Sequence, residues 1–185
     1  MQHNKSLDAR SIILCAMFAA LIAVGAFIKI PVPVVPFTLQ FLFTNLAGLL
    51  LGKKLASISV GVYLLIGLIG IPVFTGGGGL SYIFVPTFGY LIGFLVGAYV
   101  TGLIMEKLKN TTFKSLLLAS FSGLGIVYLL GMIYYYFISN YYLNAPIGVW
   151  SLILYCFILA VPGDILICFV SSFLSKRLIP IVKRG

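Results

Sequence analysis

The sequence predicts an all-α integral membrane protein: a single domain, built as a bundle of six transmembrane helices with the N- and C-termini in the cytoplasm. Three observations lead there. Of the 185 residues, 62% are hydrophobic and only 8% are charged, against roughly 25% charged in an ordinary soluble domain, and the mean hydropathy is +1.19. Apolar runs near the roughly 20 residues that a bilayer crossing needs recur along the whole chain. The basic residues stand in short clusters between those runs. Composition excludes a soluble enzyme, and the length leaves no room for a separate soluble domain. A net charge of +9 would suggest nucleic acid in a soluble chain. Here its placement is that of loops kept in the cytoplasm, so the expected surroundings are lipid and no nucleic acid.

Bounding the apolar runs by charge, Pro, Gly or Asn gives spans over residues 11–28, 37–52, 55–73, 82–105, 115–138 and 149–175. The first carries Ala16, Ala19, Ala20 and Ala23, two overlapping pairs of small residues four apart. That spacing lets helix backbones approach closely, either inside the bundle or against a partner. The apolar start of this span is not expected to be a removed signal peptide, since no small-residue cleavage pattern follows it. The second span is short and follows the proline-spaced stretch Pro31, Pro33, Pro36, read as a stiff extended loop; Thr38 and Gln40 enter it as polar side chains. Only Lys53 and Lys54 separate it from the third, which forces antiparallel neighbours. The fourth opens beside Pro86 with Thr87 and Tyr90, and the fifth runs into Tyr134, Tyr135, Tyr136, Tyr141 and Tyr142. With Trp150 these form an expected outer interfacial belt. The sixth is interrupted by Pro162-Gly163-Asp164, where proline frees backbone groups and bends a helix.

Sorting the cations by side fixes orientation. Lys5, Arg10, Lys53, Lys54, Lys107, Lys109, Lys114, Lys176, Arg177, Lys183 and Arg184 fall on one side, and only Lys29 falls on the other. The larger group marks the cytoplasm. The outer connections are then 29–36, the run Gly76 to Gly79, and 140–148, and irregular backbone is tolerated at membrane depth where it lines a site.

Asp164 is the acid that falls well inside a span; Asp8 and Glu106 lie at cytoplasmic ends. A carboxylate at that depth costs about 2.5–3.5 kcal/mol on insertion scales, which points to a ligand or proton contact, with a structural carboxylate satisfied by hydroxyls as the other reading. Gly76, Gly77, Gly78 and Gly79 allow positive φ and close approach of amides to an anion, or form a plain flexible hairpin. No Lys-Ser/Thr pair follows, so this is no nucleotide loop. Cys15, Cys156 and Cys168 stand in apolar stretches without metal-ligand spacing and read as core. Neither a metal site, a cofactor site nor a catalytic constellation is expected.

Five segments, in order along the chain, resemble the BioY family: Pro31 to Gln40, Leu46 to Gly52, Gly67 to Phe74 with the glycine run, Pro86 to Phe94, and Pro162-Gly163-Asp164. The resemblance covers nearly the whole chain. It implies the non-enzymatic, biotin-binding S component of an energy-coupling factor (ECF) transporter, a multi-pass protein of the bacterial cell membrane that captures its vitamin from outside. It also implies partners, a transmembrane coupling protein and two cytoplasmic ATPases, and a docking face on the first helix that Ala16, Ala20 and their neighbours Ala19 and Ala23 match. The implied ligand residues are Asp164, Thr38, Gln40, Gly76 to Gly79, Tyr82, Thr87 and Tyr90. Where such chains usually carry a lysine three residues past the aspartate, this one has Ile167. The ligand, biotin or a relative such as dethiobiotin or lipoate, is then expected to rest its anionic end on the Gly76 to Gly79 amides, on hydroxyls such as Tyr82 and Tyr90, or on Lys29. The residues alone leave open a stand-alone proton-coupled carrier with Asp164 as relay, and a purely structural membrane protein.

Overall fold

A computed structural model describes residues 8–30 and 35–184. Pro31, Val32, Pro33 and Val34 of the proline-spaced stretch lie outside the described residues, as do Lys5 and the rest of 1–7. The architecture is all-helical apart from a two-stranded ribbon: α1 (Ala9–Phe27), β1 (Lys29–Ile30), β2 (Phe37–Thr38), α2 (Gln40–Ile69), α3 (Phe88–Leu108), α4 (Phe113–Phe137), α5 (Val149–Ile153) and α6 (Val161–Arg184). Five helical stretches are long and apolar enough to cross a membrane: Ala9–Phe27, Gln40–Ile69, Phe88–Leu108, Phe113–Tyr142 and Val149–Val182.

The second stretch joins two of the expected spans, and its backbone is broken at Gly52, with φ 78° and ψ 175°. The break reverses the chain. Gln40 Nε2 donates to Tyr63 Oη at 2.6 Å across 23 residues, a separation that a straight helix would stretch to roughly 34 Å. The two halves of α2 therefore lie antiparallel. Glu106 holds the turn, accepting from the Lys53 amide at 3.1 Å and pairing with Lys53 Nζ at 3.1 Å.

Several expected boundaries move, each for a local reason. α1 starts at Ala9 because Asp8 caps it, its carboxylate accepting from the Ser11 amide. α2 starts at Gln40, since Phe37 and Thr38 pair with Lys29 and Ile30 in an antiparallel ribbon, and it stops at the left-handed Gly70 rather than at Val73. Residues 82–84 belong to a short 3₁₀ turn, Leu80–Phe84, and α3 opens only after Pro86. The last span is interrupted before the proline, by a π turn over Leu154–Ile158, and its final helix runs on to Arg184. Of the expected aromatic belt, Tyr141, Tyr142 and Trp150 are exposed, while Tyr134, Tyr135 and Tyr136 pack partly against the core.

Close helix contact comes from small residues. Gly89, Gly93 and Gly97 repeat every fourth residue along α3 and face α4; a Cβ on Gly93 would lie 2.9 Å from Val127 Cα, and one on Gly97 3.0 Å from the Gly123 carbonyl. Backbones this near gain dispersion contacts that lipid cannot supply. A buried polar knot fastens α2, α4 and α6: Asn45 Nδ2 donates to Ser120 Oγ at 2.9 Å and to Ser171 Oγ at 2.6 Å. Both described ends of the chain meet, because Arg10 donates to the Val182 carbonyl at 2.5 Å. Cys15, Cys156 and Cys168 are all buried.

Candidate ligand-binding site

At the end of the bundle away from Arg10 lies a cavity whose empty space, open mouth included, is about 600 Å³. The ribbon side supplies Val35, Pro36, Phe37 and Thr38, and the first half of α2 supplies Gln40 and Phe41. The loop after α2 adds Thr75 and Tyr82. Thr87, Tyr90, Leu91 and Phe94 come from α3 and its cap, Val127 and Tyr128 from α4, and Ala160 and Asp164 from the start of α6. Of the outer connections expected to line a site, 29–36 contributes Val35 and Pro36, whereas Gly76 to Gly79 and 140–148 contribute no residue to the lining.

Asp164 is the charged group of this lining. Its Oδ2 accepts from Tyr128 Oη at 2.5 Å, a short, charge-assisted geometry. The aromatic wall behind it is built edge to face. Tyr90 meets Tyr128 at 6.0 Å between ring centres and Tyr128 meets Phe157 at 5.2 Å, the arrangement that ring quadrupoles favour. Tyr90 Oη is already engaged, donating to the Cys156 carbonyl at 3.0 Å inside the π turn. That bond serves a carbonyl in the segment where the regular helix is lost.

The near wall is held by a polar relay. Thr38 Oγ1 donates to Gln40 Oε1 at 3.2 Å, Gln40 Nε2 donates to Tyr63 Oη at 2.6 Å, and Tyr63 Oη donates to the Val73 carbonyl at 3.2 Å. One chain of bonds therefore ties the ribbon, both halves of α2 and the following loop. Thr75 Oγ1 and Tyr82 Oη share a bond of 3.1 Å at the rim.

Of the residues singled out from sequence, Thr38, Gln40, Tyr82, Thr87, Tyr90 and Asp164 converge on this cavity. The glycine run lies beside it and is not part of the lining. Two of its four amides are committed: Gly77 N–H donates to the Phe74 carbonyl at 3.2 Å and Gly79 N–H to the Gly67 carbonyl at 2.7 Å. The turn they close, with Gly77 at φ 123° and Gly79 at φ 101°, presses the buried Phe74 ring into the notch that Gly67 leaves. Ile167 is buried and faces an apolar groove shared with Phe37, Leu42 and Gly163, outside the cavity. On α1, Ala16 and Ala20 are exposed, Ala23 is half-buried, and Ala19 is buried at 5% exposure. Ala19 thus packs inside the bundle, because it lies on the helix face of Cys15, Phe18 and Ile22, and only the Ala16 and Ala20 face is free.

Tyr128 and Thr75 were not singled out from sequence. A phenol in mid-helix, six residues before the Tyr134 to Tyr136 cluster of α4, was the available signal for Tyr128. Thr75 carries none beyond its position before the glycines.

A family model described as the BioY family matches residues 1–184. The probable biotin transporter BioY of Lysinibacillus sphaericus is 44% identical over 174 residues, covering 94% of this chain and 89% of that one. The biotin transporter BioY of Thermotoga maritima is 44% identical over 136 residues, 73% of this chain and 77% of its own. Among solved structures, the S-component for biotin from an ECF-type ABC transporter superposes with a TM-score of 0.79 at 33% identity, covering 96% of this chain and 94% of the other. With the match running through the ribbon, both halves of α2, the cavity walls and α6, this chain belongs to the BioY family.

Proposed function

We propose that this chain is the substrate-binding S component of an ECF-type importer and that it takes biotin, or a close relative, into the cavity from outside the cell. The observation that carries the reading is the lone carboxylate of Asp164 at the base of an aromatic cavity, in a chain whose relatives are named biotin transporters. Tyr128 occupies Oδ2, which leaves Oδ1 to accept the N–H groups of a ureido ring. Phe41, Tyr90 and Phe94 offer apolar faces to the rest of a small bicyclic ligand. Thr38, Gln40, Tyr82 and Thr87 supply the polar rim, and the glycine run acts by shaping the loop that carries Thr75 and Tyr82.

In this reading the two antiparallel halves of α2 cross separately, so the bundle has six spans in one domain over residues 1–185. The end bearing Arg10, Lys53, Lys107 and Arg177 faces the cytoplasm, and the protein resides in the cell membrane. Transport then needs partners: a transmembrane coupling protein that docks on the exposed Ala16 and Ala20 face, and two ATPases below it.

The test is a thermal-shift panel of biotin, dethiobiotin and lipoate on the purified chain, where a ligand at 100 times its Kd stabilises by about 2.7 kcal/mol. A shift with biotin is the expected result. No shift with any of the three removes the reading, and uptake that collapses with the proton gradient while ATP persists would favour a proton-coupled carrier instead.

A further inference from the structure

We propose that Lys29 is the cation that holds the ligand's carboxylate, bridging the two rims of the cavity mouth. The inference rests on the biotin reading above and extends it to the end of the ligand that Asp164 cannot serve. Asp164 and a ligand carboxylate repel each other in a low-dielectric pocket, so the ligand enters with its ureido end inward and its acid toward the mouth. The described lining holds no basic side chain, and residues 31–34, Pro-Val-Pro-Val, contribute none.

Lys29 lies where that acid emerges. It is directly opposite Thr38 in the β1–β2 register, and residues directly opposite in an antiparallel pair project from the same face of the ribbon. Thr38 lines the cavity, as does its neighbour Phe37; the Lys29 side chain is exposed beside that rim, and its direction is given by the partner it finds. It reaches across to the other rim, where Nζ donates to the Thr75 carbonyl at 3.4 Å. Thr75 lines the cavity too, and its hydroxyl is bonded to Tyr82. A bond of 3.4 Å is long beside the 2.7–3.2 Å range of good N–H···O geometry, and an ammonium has three donors. A ligand carboxylate at the rim offers shorter, charge-assisted bonds of about 2.7–2.9 Å. A carboxylate taken up by a second N–H keeps Lys29 over the mouth and places ribbon, ligand and loop in one bonded set.

The experiment compares free biotin with biotin methyl ester by calorimetry on the full chain and on Lys29→Met and Lys29→Arg. Lys29→Met should weaken free biotin by ~10- to 100-fold, the loss of one charge-assisted bond, while the ester binds the variant and the wild type alike. Lys29→Arg should restore most of the affinity for the acid. Unchanged biotin affinity in Lys29→Met overturns the proposal. So does an equal loss for acid and ester, which would make Lys29 a tie between loops and nothing more. If the wild-type chain binds neither compound, the biotin reading itself fails, an outcome distinct from both.

Discussion

Replacing Asp164 by Asn separates a ligand-binding carboxylate from a structural one, because the two roles predict opposite changes in stability. The substitution keeps size and leaves a carbonyl oxygen able to accept from Tyr128, so the 2.5 Å bond to its hydroxyl is replaced by a weaker neutral one, about 1 kcal/mol less. Against that loss, the uncharged amide relieves part of the roughly 2.5–3.5 kcal/mol that a carboxylate costs at membrane depth on insertion scales. The empty Asp164→Asn protein should therefore be as stable as the wild type or more so. Binding should move the other way. An amide nitrogen set against ureido N–H groups puts donor against donor, and each charge-assisted bond lost is worth about 1.5–3 kcal/mol, or ~10- to 150-fold in Kd. Tyr128→Phe removes the positioning hydroxyl and leaves the carboxylate, so its own loss should be smaller. The double variant should be non-additive, with a coupling of about 0.5–3 kcal/mol as befits residues in contact. Calorimetry measures the affinities, and thermal unfolding without ligand measures the stabilities. Parallel loss of stability and binding in Asp164→Asn would refute the argument and return Asp164 to a structural role, as would additive effects of the two substitutions.

Three further outcomes follow from the packing. Gly93→Leu drives a side chain into the Val127 backbone, 2.9 Å from where its Cβ would start, and should lower thermal stability by about 1–3 kcal/mol; the lipid-facing control Gly125→Ala, with open space around it, should change stability by less than ~0.5 kcal/mol. Gly67→Ala displaces the buried Phe74 ring from its notch and should loosen the loop carrying Thr75 and Tyr82, weakening ligand binding more than it lowers the melting temperature. On α1, Ala16→Trp or Ala20→Trp, on the exposed face, should abolish cellular uptake and copurification with the ATPases while sparing ligand binding by the purified chain; Ala19→Trp, buried, should instead destabilise the protein by about 1–3 kcal/mol.

The limits of a reading from sequence follow the same physics. Helix positions were legible because span-length apolar runs have few soluble alternatives, and the cavity was legible wherever a polar side chain interrupted such a run next to a proline or glycine, as at Thr38, Gln40, Thr87 and Asp164. Which side of a helix faces inward was far less visible. Lipid is as apolar as a protein core, so a membrane helix needs no polar outer face and shows little amphipathic period. Tyr128 and the Gly89, Gly93, Gly97 stripe therefore stood in the sequence without a marker of direction, although the fourfold glycine spacing was there to be read. Gly52 shows a finer limit: the two lysines after an apolar run announce an antiparallel reversal, and the structure adds that the backbone breaks at Gly52, one residue before them. The glycine run is the most instructive case. Four glycines state that the backbone is free to bend and to present its amides, and an anion site is a natural expectation. Freedom is not availability, however: two of the four amides, those of Gly77 and Gly79, are consumed by the Phe74 carbonyl of the same loop and the Gly67 carbonyl at the end of α2. Composition counts the donors a segment owns. Only the folded loop shows which of them remain for a ligand, and the Lys29 ammonium, whose described partner is the Thr75 carbonyl at the rim, is the cation proposed to take the ligand's acid.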